Sequence, residues 1–169
     1  MSPSDDRGTE RNLFRERMTF DPMGPVQNHE QILYGLRYAT TVWRIGGMDP
    51  FHEELGYWLW DAQATQVFRC FIVPRGVSVF AGGTVEPSAT SFSLAADESS
   101  HTYSICSNIF LDRAFKTVRY ELTVTRLDGD RFRYREDTQL QIPGQTELFH
   151  HTDQNILSRG IAGFQSKST

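Results

Sequence analysis

The stretch "ELFHHTDQNILSR", residues 147–159, places two adjacent imidazoles, His150 and His151, near the C-terminus of a chain of 169 residues. Imidazole is a general base, a metal ligand and an ordinary hydrogen-bonding surface group, so spacing must decide among these roles. A second constellation, His52-x-Glu54, puts an imidazole and a carboxylate on one face of a strand. It offers two donors for a cation such as zinc, and no third ligand stands at readable spacing. Glu54 therefore reads as a partner for Arg37, Arg69 or Arg75 at the rim of the fold. No Ser/His/Asp order, phosphate loop or Cys/His pair stands out, and Gly82-Gly83 lacks phosphate-loop spacing and reads as a strand bend.

The elements that must carry these residues are strands. Phe14, Met18 and Phe20 alternate with Arg15, Arg17 and Thr19, the period of a half-buried strand. The segment "DPMGPVQN" is expected to break it. In residues 31–44, Ile32, Tyr34, Leu36, Tyr38 and Val42 share a face opposite Gly35, Ala39 and Trp43. Residues 52–61 follow, with His52, Glu54, Gly56, Trp58 and Trp60 on one side. Residues 67–73 are apolar except for Arg69, and 77–85 contain the small run Ala81-Gly82-Gly83 that a barrel corner requires. Shorter strands are expected at 91–96 and 101–107, then a loop or single helical turn at "NIFLDRAF". Residues 117–124 and 132–142 flank an Asp-Gly turn, a strong hairpin signal.

Turns every ten residues or so point to an all-β domain, an antiparallel up-and-down β-barrel of about nine to ten strands with an internal cavity. Residues 1–12 read as a flexible lead-in, 13–160 as the barrel and 161–169 as a flexible tail. Apolar residues on both faces of several strands exceed what a plain barrel needs. Twelve Phe, six Tyr and three Trp would fill a core or receive a flat apolar guest. The net charge of −4, with no basic stripe, argues against nucleic acid as a partner. No apolar window is long enough for a membrane span, and a cytoplasmic protein is expected. Cys70 and Cys106 lack CxxC spacing and read as buried thiols.

Within this frame, "FHEELGYWLWD" and "FIVPRGVSVFAGG" resemble the nitrobindin-like, haem-binding β-barrel family, whose shape is related to fatty-acid-binding proteins. The residues that carry the likeness are His52, Glu54, Gly56 and Trp58, then Pro74, Gly76, Gly82 and Gly83, and finally His151 with Leu157, Ser158 and Arg159. "HTDQNILSR" is similar to a bacterial subgroup with the pattern HTD-x-N-x-L-x-R. The resemblance implies haem b held by one C-terminal histidine, and an iron that meets nitric oxide and isomerises peroxynitrite. His151 is then the axial ligand, with His150 the alternative, and Phe149, Trp58 and Tyr38 are the expected aromatic contacts. Asp153, on the face of His151, would orient its other ring nitrogen. A barrel that binds a small lipophilic molecule without iron is the rival reading. The family's opening Gly-x-Trp-x-Gly strand has no counterpart before Arg7. A barrel one strand short is therefore expected, a monomer or homodimer, closed by a second copy or by residues 8–13.

Overall fold

The computed structural model describes residues 12–160, so the expected lead-in, Asn12 apart, and the expected tail lie outside the described residues. Ten strands form one antiparallel sheet, β1 (Phe14–Asn28), β2 (Gln31–Arg44), β3 (Pro50–Asp61), β4 (Gln66–Val73), β5 (Val77–Thr84), β6 (Ser91–Asp97), β7 (Ile105–Ser107), β8 (Lys116–Arg126), β9 (Arg131–Gln141) and β10 (Phe149–Ser158). Each long strand pairs with its neighbour in sequence from β1 to β6, and the ladder continues β6-β8-β9-β10. The expected all-β, up-and-down architecture is what the chain adopts. No helix among the described residues is long and apolar enough to cross a membrane.

Three local expectations need correction. The "DPMGPVQN" segment does not end the first strand. β1 runs through it, with a register shift between Met23 and Val26. Pro22 and Pro25 are tolerated because β1 is the first strand of the ladder and has one unpaired edge among the described residues. The strand expected at 101–107 is confined to Ile105–Ser107. β5 and β6 share only the Gly82–Ala95 pairing, and β7 fills the wedge between them by pairing with Val77–Val79. Neither cysteine is fully buried: Cys70 is half-buried and Cys106 exposed.

The "NIFLDRAF" stretch forms one short helix, α1 (Ile109–Ala114), capped by Asn108, whose side-chain oxygen accepts from the Leu111 amide at 3.0 Å. Asn108 also donates to the Arg75 carbonyl. This side chain sits where a Cβ on Gly76 would fall, 2.6 Å away, and Gly76 has a φ of +91°. Glycine there serves both the turn and the close approach.

The buried core lies on the concave face, around Tyr38, Phe71, Val79, Leu94, Tyr120 and Leu122. Gly56 is what lets β3 and β4 close up: a Cβ there would lie 2.1 Å from the Cys70 carbonyl oxygen. β1 and β10 end the ladder and share no backbone pairing among the described residues. Side chains join β1 to β9 and β10 instead. Glu16 on β1 accepts from the Tyr134 hydroxyl at 2.8 Å and from the Asn155 amide at 3.1 Å. Phe20 and Phe132 meet edge to face, centroids 6.5 Å apart.

Candidate binding cavity

The curled sheet encloses a cavity of about 1160 Å³. That exceeds the roughly 300–1,000 Å³ typical of sites for drug-sized ligands. One part of its wall is apolar, with Met18, Val42, Phe71, Val73, Leu140 and, from α1, Phe110. Another part is ionic.

Strand alternation separates the two C-terminal histidines. In β10, His151 pairs with Thr138 and lines the cavity, its side chain 29% exposed. Its Nε2 lies 3.0 Å from Asp153 Oδ2. Burial pushes the Asp153 carboxyl up, but the hydrogen bond and charge of His151 prevail and hold it below the usual aspartate range. His150 points to the outer face, 54% exposed, where Nδ1 meets Asp137 Oδ2 at 2.7 Å.

The other expected contacts divide. Trp58 lines the cavity, and its indole N–H has no hydrogen-bond partner among the described residues. Tyr38 is not among the cavity-lining residues; its ring is packed in the core and its hydroxyl accepts from Arg69 Nε at 3.0 Å. Phe149 is likewise outside the lining and packs with Leu140, Ile142 and Phe115. His52 does line the cavity, 3.9 Å from Glu54. Among the described residues no group of His, Cys, Asp and Glu is arranged to hold a metal ion by itself.

The largest departure from the sequence reading is Arg69. It does pair with Glu54, but in the interior and not at the rim, while Arg37 meets Asp21 in solvent. Arg69 is 3% exposed and Glu54 4%. The guanidinium donates to Glu54, to the hydroxyls of Tyr38 and Tyr120, and to Glu136 at 2.8 Å. Tyr120 donates to the same Glu136 oxygen at 2.7 Å. The guanidinium carbon also stands 4.6–5.9 Å from the ring centroids of Phe71, Tyr38, Trp58 and Tyr120. Burial alone would raise the Glu54 pKa, yet the Arg69 charge, with His52, holds it below its ordinary value. The signal was a single cation at an inward position of the apolar run 67–73.

Glu16 faces the same space. Burial raises its pKa, the charges of Glu54 and Glu136 add to that, and the hydrogen bonds from Tyr134 and Asn155 only partly offset it.

Residues 4–159 match the family described as "THAP4-like, heme-binding beta-barrel domain". The chain belongs to that family. The likeness expected from the His52, Pro74 and His151 motifs is thus a family relationship over nearly the whole sequence. A solved structure, "Crystal Structure of Rv2717c from M. tuberculosis", is similar to the domain with a TM-score of 0.63 and 20% identity, over 88% of this chain and 81% of that one. At that identity the likeness concerns the fold. No curated protein sequence matches the chain.

Proposed function

We propose that this family member binds haem b in the cavity, with His151 as axial ligand, and acts on nitric oxide or peroxynitrite at the open side of a ferric iron. The observation that carries this reading is the position of His151, the one imidazole of the pair on the cavity wall, with a carboxylate on its ring. An imidazole whose second nitrogen is hydrogen-bonded to a carboxylate is a fixed and more basic donor.

The residues present fit the group. The volume is ample, one wall is aliphatic and aromatic, and the exposed Arg44 and Arg75 stand among the lining residues as partners for two propionate carboxylates. Haem iron, when bound, supplies a coordination position at which a small nitrogen oxide can be held and rearranged. The chain's own part is to hold the ligating imidazole, keep Asp153 on it, and exclude bulk water with Met18, Val42, Phe71 and Phe110. Trp58 would pack as an aromatic contact on the same wall. An isomerase-like activity toward peroxynitrite needs no added protein acid or base in this scheme.

Titration of the purified full chain with haemin tests it. A sharp Soret band at one equivalent is expected. A broad, unsaturating rise would contradict the proposal. A second reading, an iron-free carrier for a small lipophilic molecule, is favoured by the apolar part of the wall, Met18, Val42, Phe71, Val73 and Leu140, which needs no iron to receive an apolar guest. It predicts no haemin spectrum, together with saturable binding of an apolar fluorophore.

A further inference from the structure

We propose that the acid-lined part of the cavity, between the inner faces of β1, β2 and β3, is a binding site for the ammonium group of an organic amine. The site consists of Glu16, Thr40 and Glu54, and it does not rest on the haem reading.

The register brings the three together. Thr40 pairs with Met18 on one side and Glu54 on the other, and Glu16 pairs with Val42, the next inward residue of β2. All of them line the cavity. Direct and diagonal cross-strand neighbours have side chains within reach of one another.

Thr40 is the observation that points to a ligand. It is 4% exposed, and its hydroxyl has no hydrogen-bond partner among the described residues. Buried hydroxyls are nearly always satisfied, and one left unsatisfied in a residue that lines a cavity marks a place where a guest can supply the missing partner.

The charge of the site selects the guest. Within the hydrogen-bonded cluster the single Arg69 cation faces the carboxyls of Glu54 and Glu136, with Glu16 beside them, so carboxyl groups outnumber the cation they surround. Glu54 meets Arg69 through one oxygen, and its other oxygen lies 3.9 Å from His52. Glu16 accepts both of its hydrogen bonds at a single oxygen, Oε2. Directly beside Thr40 the carboxyls of Glu16 and Glu54 disfavour an anion, and water would satisfy Thr40 without offsetting their charge. A bare metal ion is disfavoured because the described acidic and imidazole groups do not converge as a coordination shell. An ammonium group instead has three N–H donors pointing in different directions, enough for two carboxylates and a hydroxyl oxygen. Charge-assisted bonds of this kind are about twice as strong as neutral ones. The neighbouring Met18, Val42, Phe71 and Val73 supply an apolar wall for the carbon chain of the amine.

The test is isothermal titration of the haem-free full chain with n-octylamine, n-octanol and n-octanoate at neutral pH. Octylammonium is expected to bind at least about tenfold tighter than octanol, with octanoate weakest. Glu16→Gln and Thr40→Val should each shrink that preference to within about threefold. Equal affinity for octylammonium and octanol in the wild-type chain would overturn the proposal, as would variants that retain the full preference. If Glu16→Gln does not fold, the near-isosteric Thr40→Val decides alone. Haemin spectra play no part in this readout, so the amine site and the haem reading can fail separately.

Discussion

His151 and Asp153 face the same cavity and meet at 3.0 Å, whereas His150, one residue earlier, meets Asp137 on the outside of the sheet. The two-residue period of β10 turns one imidazole, with Asp153, to the cavity side and the other, with Asp137 of β9, to the outer face. The two pairs are matched in chemistry and opposite in location, which makes each the control for the other.

Asp153→Asn should therefore weaken His151 as a ligand. In the haemin-loaded protein we expect roughly 10–100-fold lower haemin affinity and a more positive iron reduction potential. Asp137→Asn should change neither. Spectroelectrochemistry and haemin titration read both quantities, and an Asp153→Asn protein indistinguishable from wild type would remove the carboxylate from the account.

Arg69 holds the interior ion cluster together, so Arg69→Met should leave Glu54 and Glu136 without their cation. Breaking a buried pair in this way costs about 3–5 kcal/mol. Adding Glu54→Gln and Glu136→Gln to that variant should recover a large part of the loss, because no unpaired charge then remains. Urea unfolding of the single and triple variants measures the difference. A triple variant less stable than the single one would contradict the ion-cluster argument.

Glu16 gives stability a pH dependence. Its folded-state pKa is raised, chiefly by burial and then by Glu54 and Glu136. A raised carboxyl pKa means that its contribution is fully present below the ordinary glutamate value, about 4.3, and is lost as pH rises through the folded value. Glu16→Gln removes that titration. The melting temperature of the variant relative to wild type should thus increase as pH rises above the ordinary glutamate value toward neutral. Thermal melts across this range check it. A constant difference would show that Glu16 titrates as it does in the unfolded chain.

The barrel was legible because period-2 patterning recurs over nearly every strand. That pattern puts His150 and His151 on opposite faces without saying which faces inward, and it was the family resemblance that pointed to His151. The misreading of residues 21–28 came from treating Pro22 and Pro25 as breakers, when a strand with an unpaired edge can hold them. The ionic half of the cavity was not legible. Arg69 meets Glu136 across 67 residues, and Glu16 meets Tyr134 and Asn155 across 118 and 139. Contacts at such separations are created by the curl of the sheet, and no local spacing announces them. Tyr38 illustrates the same limit: alternation gave its face, and only packing shows its hydroxyl committed to Arg69 beneath the cavity wall.

The most direct test of the central claim compares His151→Ala with His150→Ala, each titrated with haemin and monitored through the Soret band and the resonance Raman iron–imidazole signature. The account predicts that His151→Ala loses the histidine-ligated spectrum and His150→Ala keeps it. Retention of that spectrum by His151→Ala, or its equal loss in both proteins, would contradict the assignment of His151 as the axial ligand.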